Sequence, residues 1–228
     1  MIEDPPILTV HSGFARPDNA KVEKLKGVPT GVVVDCMDGS GAMHHAIKPV
    51  GNNPPDFVAV AVTCGCGPAD NLAVFATLEL LRPGDAIVAA ADGYLGTATV
   101  GDLVAGMARN AGAVAIVTDG AVRDVPGIDG TGIACFAAAV SPNSPAKSGP
   151  GTAGLPIQVG GVSVSSGDVL VGDCDGVVVV PAAMLDTVLE RLPGIQAAES
   201  ALEARVKGGL VMPEWTKELL AGPRTRRV

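Results

Sequence analysis

Arg123 and Asp124 stand side by side in "AIVTDGAVRDVPG" (115–127), where a run of apolar residues stops. The pair has two readings. It is a solvated ion pair on a loop, which contributes little to stability, or it is the centre of a site that holds an anionic substrate and a metal ion together. Asp102, in "VGDLV", is separated from Arg123 by twenty residues. It is either a helix-capping residue or a second carboxylate for the same site. The chemistry of the functional reading is specific. An arginine's planar fork grips a carboxylate or an enolate oxygen. Aspartates are hard oxygen ligands suited to Mg²⁺ or Mn²⁺, bound directly or through water. A helix start adds unpaired N–H groups and the positive end of the helix dipole, which attract an anion.

Whether these groups meet depends on the elements that carry them. "FVAVAVTC" (57–64), "AIVAAA" (86–91) and "AVAIVTD" (113–119) read as buried strands, and "ADNLAVFATLELL" (69–81) and "LVAGMARNAG" (103–112) as helices. A Gly-rich turn, "DGYLGTATVGD", leads into the second helix. In a right-handed strand–helix–strand crossover the helix starts at the carboxyl end of the first strand, and the second parallel strand ends at that same edge. Asp102 at the helix start and Arg123–Asp124 beyond the strand therefore face one another across a crevice.

The rest of the chain frames that unit. Residues 18–28 read as a short charged helix, while 29–41 is open between a helix capped by Thr30 and a strand built on its Val triplet. "IACFAAAV" (133–140) precedes a Pro/Ser/Gly loop, "SPNSPAKSGPGTAG", and then consecutive strands in "LPIQVGGVSV" and "GDVLVGDCDGVVVVP". The two acids of "GDCDG" are most simply a hairpin turn. The C-terminal region is helical, with an interruption expected near Pro193-Gly194. "RPGDAIVAA" and "SSGDVLVGD" echo each other only once, too little for a repeat. The expectation is an α/β fold with a mixed sheet, in one domain over residues 1–228.

Composition narrows the function classes. Hydrophobic residues make up 47% of the chain and charged ones 18%, so a sizeable core is expected and disorder is not. A net charge of −8 argues against nucleic acid as the main partner, yet a local cation or bound metal still allows an anionic small molecule. No apolar run reaches membrane-spanning length without Gly, Asp or Pro. The start, "MIEDPPILTV", resembles neither an export signal nor a transit peptide, and the five cysteines are odd in number and irregularly spaced. Reduced thiols in the cytoplasm are expected. Cys64-Gly-Cys66 is too tight for a zinc knuckle. His11, His44 and His45 are expected at the surface or an interface, and an adjacent pair cannot point the same way on a regular element. Lys147, in its Gly/Pro loop, either reaches a distal substrate carboxylate or is only solvated.

"GDLVAG", "GAVAIVTDGAVRD", "DNLAVFATLELLRPGD" and "GDVLVGDCDGVVVVP" together resemble the RraA-like superfamily, over about residues 28–209. Within it the chain is most similar to the 4-hydroxy-4-methyl-2-oxoglutarate / 4-carboxy-4-hydroxy-2-oxoadipate aldolases. The resemblance implies a swivelling β/β/α domain, with mixed sheet layers flanked by helices. It places the core at about 28–182 and a C-terminal helical extension, about 182–220, at a subunit interface of a homotrimer or hexamer. It implies a divalent-metal (class II) pyruvate aldolase using Mg²⁺ or Mn²⁺. The family's metal-binding aspartate falls on Asp124 and its substrate-binding arginine on Arg123. Its substrate-binding backbone amides fall on Gly101, Asp102, Leu103 and Val104. A glutamate from the neighbouring subunit's C-terminal helix falls on Glu199. The aldolases carry Asp at position 102; many other members carry Gly there and an acidic residue three positions after the metal-binding Asp, where this chain has Gly127.

Cleaving a 4-hydroxy-2-oxo acid needs a sink for the electrons of the broken C–C bond, either a metal on the 2-keto oxygen or a lysine Schiff base. No lysine lies in an apolar strand that would lower its pKa, so the metal route is expected. Asp124 then anchors the metal, and Arg123 with the 101–104 amides holds the pyruvyl portion. Asp102 with Glu199 orients a water that takes the C4 hydroxyl proton. The same chemistry decarboxylates oxaloacetate. The alternative is a non-catalytic regulator that binds an RNA-degrading endonuclease, as some RraA-like proteins do. A methyltransferase reading lacks the Gly-rich strand-to-helix turn and following acid of a nucleotide-like cofactor site.

Overall fold

Small and β-branched residues alternate along four strands that build the centre of the molecule. The strands Phe57–Gly65, Asp85–Ala90, Ala115–Thr118 and Ala134–Ala137 run parallel in that order, in registers such as Val62↔Ile87, Ile87↔Ile116 and Ile116↔Cys135. Antiparallel neighbours extend the sheet: the hairpin Val169–Asp173/Gly176–Val180 and strand Gly151–Ala153 both pair with Phe57–Gly65, and Lys48–Pro49 closes the far edge. Among the described residues, nine strands form this mixed sheet. The computed structural model describes residues 6–228; Met1–Pro5, half of the acidic stretch read above, lie outside the described residues.

Each face of the sheet is covered. Ala59, Ala61, Val88, Val117 and Phe136 pack beneath the small hairpin Ile157–Val159/Val162–Val164. Ile87, Ala89, Ile116 and Cys135 face helices Leu72–Thr77, Asp102–Asn110 and Val125–Thr131, through Val74, Ala105 and Ile128. A third cluster joins the 169–180 hairpin to helix Thr30–Cys36 and to the first half of helix Leu185–Lys207, through Val33, Val171, Leu185, Val188 and Leu192. Within the stretch 29–41, Thr30–Cys36 is helix rather than strand, because Val32, Val33 and Cys36 form one buried face against the hairpin, and a turn follows. Pro29, not Thr30, occupies the N-cap position, and Asp173 accepts from both the Thr30 amide (2.8 Å) and its hydroxyl (2.9 Å).

Two expectations are corrected. Helix Leu185–Lys207 runs unbroken through Pro193 for 23 residues, because Leu185, Val188 and Leu192 anchor the turns before the proline. More important for function, the chain does not simply turn after the central strands. It leaves the main sheet and forms a second, three-stranded parallel sheet from Ala98–Val100, Ala121–Val122 and Ala139–Val140. Gly120 makes the bend possible: a Cβ there would lie 2.6 Å from Thr99 Oγ1 and 2.7 Å from Ala91 Cβ.

Candidate active site

The small sheet delivers three chain ends to one place. Val100 leads into Gly101 and helix Asp102–Asn110; Val122 leads into Arg123 and Asp124; Val140 leads into the 141–150 loop. The Arg123 amide donates to the Val100 carbonyl (3.0 Å) and the Ser141 amide to the Val122 carbonyl (2.9 Å), so the three segments lie side by side. The crevice expected from the crossover is therefore present, displaced from the main sheet to the carboxyl edge of the second one.

A recess of about 220 Å³ opens there, lined among others by Gly101, Asp102, Leu103, Val104 and Arg123. Gly101 precedes the helix in an extended conformation, and Asp102 is the first helical residue, its Oδ1 accepting from the Leu103 amide at 2.7 Å. The N-cap position is therefore Gly101, not Asp102, whose carboxylate reaches only the adjacent N–H. The Arg123 guanidinium contacts Asp124 Oδ2 through Nε (3.2 Å) and donates through Nη1 to Ser144 Oγ. Backbone follows side chain here. A Cβ on Gly101 would come within 2.9 Å of Asp124 Oδ2 and 3.3 Å of Arg123 Nε, so glycine lets the helix start approach the pair closely.

Asp124 is the most unusual residue of the site. It occupies the N-cap position of helix Val125–Thr131, where an aspartate ordinarily accepts from the helix amides, yet it makes no such bond. Its backbone is left-handed (φ 58°, ψ 43°), a conformation that costs a non-glycine residue on the order of 1 kcal/mol and clusters at functional sites. The consequence is a carboxylate turned away from its own helix toward Gly101 and Arg123, with 46% of its side chain exposed. Asp124 flanks the recess rather than lining it. An all-oxygen donor set, half open to water, fits a Mg²⁺- or Mn²⁺-type ion, which keeps several waters when few carboxylates hold it.

The opposite wall escaped the sequence reading almost wholly. Loop 141–150 is strapped to residues 69–71: the Ala146 amide donates to the Ala69 carbonyl (2.8 Å) and the Asn71 amide to the Ala146 carbonyl (3.1 Å). The Asp70 carboxylate accepts from the amides of Leu72 (2.8 Å), Ser148 (2.6 Å) and Gly149 (3.1 Å). Burial pushes the Asp70 carboxyl up, but these three amides and the nearby Lys147 outweigh it and hold it below the usual carboxylate range. Asn71, Ser144 and Lys147 thereby join the lining; of these, only Lys147 carried a signal in sequence.

Other candidates fall elsewhere. Glu199 sits on the exposed second half of helix Leu185–Lys207, outside the recess of its own chain. His44 and His45 stack at 4.1 Å in a turn that is no regular element. Cys64 and Cys66 are buried free thiols, and the hydrogen bond to Cys64 together with burial raises the Cys66 pKa. Asp173, Cys174 and Asp175 cluster at a hairpin turn where Asp173 already serves Thr30.

The chain matches known proteins over most of its length. The RraA-like family (Aldolase/RraA) matches residues 30–179. A protein of Halalkalibacterium halodurans named "Putative 4-hydroxy-4-methyl-2-oxoglutarate aldolase" is 33% identical over 190 residues, 83% of this chain and 90% of that protein. The RNA-processing inhibitor RraA from Thermus thermophilis superposes with a TM-score of 0.62 at 30% identity, covering 68% of this chain and 93% of its own. Streptomyces coelicolor RraAS2, described as an unusual member of the RNase ES inhibitor RraA protein family, gives a TM-score of 0.73 at 25% identity, covering 83% of this chain and 100% of its own.

Proposed function

The chain belongs to the RraA-like family, and from that premise we propose that it is a divalent-metal-dependent pyruvate aldolase. Its substrates are 4-hydroxy-2-oxo acids of the 4-hydroxy-4-methyl-2-oxoglutarate or 4-carboxy-4-hydroxy-2-oxoadipate type, with oxaloacetate decarboxylation as a side activity. The observation that carries this reading is the meeting of the Gly101–Val104 helix start with the Arg123–Asp124 pair around one recess.

Asp124, with help from Asp102, is the residue that would hold the cation, whose chemistry is to polarise the 2-keto oxygen as a Lewis acid. The remaining work belongs to the chain. The helix-start amides of 101–104 bind the C1 carboxylate, which the helix dipole favours. Arg123, fixed by Asp124 and Ser144, keeps donors to spare for the oxygen on which negative charge accumulates as the C3–C4 bond breaks. Asp102 orients the water that accepts the C4 hydroxyl proton. The active assembly is a homotrimer or hexamer in which Glu199 of a neighbouring subunit completes the site.

A regulator that binds an RNA-degrading endonuclease is the second reading, supported by the likeness to the two RraA structures. A docking surface has no use for an aspartate held in a left-handed conformation beside an arginine, and that favours the lyase. The test is pyruvate release from 4-hydroxy-4-methyl-2-oxoglutarate. Arg123→Ala and Asp124→Ala are each expected to lower kcat/KM by about 100-fold or more. Near-normal turnover in either variant contradicts the assignment.

A further inference from the structure

Loop 141–150 has a second fastening, and it begins outside the recess. Asp119 follows strand Ala115–Thr118 at the carboxyl edge of the main sheet, is half-buried, and does not line the recess itself. Its two oxygens divide two backbone amides that follow the neighbouring strand Asp85–Ala90: Oδ1 accepts from Ala91 (2.7 Å) and Oδ2 from Gly93 (3.2 Å). Between them Asp92 takes a left-handed conformation (φ 53°), followed by Gly93 (φ 67°), and this bend turns both amides toward one carboxylate. The Tyr94 amide closes the turn on the Ala91 carbonyl at 3.0 Å. The segment then reaches Gly96, whose carbonyl accepts from Asn143 Nδ2 (2.7 Å) and Ser141 Oγ (3.1 Å). The Ala98 amide donates in return to the Asn143 carbonyl (3.0 Å). Ser144 comes next in the loop, and its hydroxyl accepts from the Arg123 guanidinium.

We propose that Asp119 is a positioning residue for the reaction: through the 91–97 segment it fixes the start of loop 141–150, and so the Ser144 hydroxyl that aims Arg123. The proposal rests on the lyase reading above and extends it to a residue that touches no substrate. Two amides aimed at one side chain require two acceptor oxygens, and a carboxylate makes the stronger, charge-assisted bonds. Asp70 fastens the far half of the loop, whereas Asp119 secures the half next to Arg123. The effect on turnover comes through geometry, because a misplacement of about 1 Å by a distant change can cost a large part of the rate.

Asp119→Asn keeps one acceptor oxygen and sets its own NH₂ against the second amide. In the substrate-free protein, this variant is expected to exchange amide hydrogens for deuterium about 10-fold faster across residues 141–147, while strand Ala134–Ala137 stays protected. Its kcat/KM for pyruvate release from 4-hydroxy-4-methyl-2-oxoglutarate is expected to fall about 10-fold. Ser144→Ala is expected to cost a similar factor. The double variant is expected to lose about 10-fold rather than about 100-fold, because both changes act through one hydrogen bond to Arg123. A merely structural role for Asp119 would multiply the two factors. Asn143→Ala, at an exposed position, breaks the same chain of bonds at its far end. It is expected to shift exchange and turnover in the same direction, and it carries both measurements if Asp119→Asn does not fold. Unchanged exchange at 141–147, or factors that multiply in the double variant, overturns the positioning role alone. No pyruvate release by the unaltered protein overturns the lyase reading and the positioning role with it.

Discussion

A Cβ placed on Gly127 would lie 2.5 Å from the Asp102 Cβ and 2.7 Å from its Oδ2. Positions 102 and 127 therefore compete for one space, and only one can carry a side chain into it. This gives a physical account of the two patterns that the family resemblance implies, an acid at 102 with Gly at 127 or the reverse: either way the space is filled by a carboxylate. Asp102→Gly is expected to lower kcat/KM about 100-fold or more, and Asp102→Gly combined with Gly127→Asp to recover part of that loss. If the double variant is no better than the single one, the shared-space account is wrong. A second residue-scale expectation concerns Asp70. Its folded pKa is depressed, so its contribution to stability is complete above the ordinary aspartate value of about 3.9 and is lost as pH falls through the folded value. Denaturation midpoints of the unaltered protein and Asp70→Asn should thus differ near neutrality and converge in acid. Thiols add a third. Burial, then the charge of Asp129, raises the Cys135 pKa to about 12, and of the five cysteines only Cys174 is exposed; one thiol per chain should react rapidly with a disulfide reagent before unfolding.

Elements with enough residues to show a period were legible, and the ones that matter most for the site were not long enough to show one. Strands 57–64, 86–91 and 113–119 and helix 103–112 were read within a few residues of their observed limits. The small sheet has strands of two or three residues, Ala98–Val100, Ala121–Val122 and Ala139–Val140, which carry no alternation to detect and depend on pairing with each other. Crossover logic still brought Asp102 and Arg123–Asp124 together, because it depends on chain order rather than strand length. Loop 141–150 read as a connection because its fastening to residues 69–71 is by backbone and Asp70, and such long-range bonds leave no local trace. Pro193 misled for the opposite reason, a strong local signal overridden by packing. Pro193→Ala removes a residue that costs a helix interior about 3 kcal/mol relative to Ala, so the midpoint of chemical denaturation should rise. An unchanged or lower midpoint argues that the helix is not continuous there.

At the scale of the molecule, one region packs little against the other described residues. Past Ile195, which is partly buried against the third cluster, the long helix buries no residue, and Leu202, Val206, Val211 and Trp215 are all exposed, Trp215 at 66%. The proposed assembly gives this extension a partner surface and brings Glu199 near another subunit's recess. Trp215 is the single tryptophan of the chain, so its emission reports the event: dilution below the assembly's dissociation range should shift the emission to longer wavelength as activity falls. Emission independent of concentration would leave the extension solvent-exposed in every state. The account as a whole stands on one cation and one guanidinium sharing a keto acid at the edge of the small sheet. Its most direct test is pyruvate release from 4-hydroxy-4-methyl-2-oxoglutarate by the chelator-treated protein, before and after Mg²⁺ or Mn²⁺ is restored. The account predicts no release in chelator and recovery with either ion, but no recovery in Asp124→Ala. Undiminished release in chelator, or none under any condition, contradicts it.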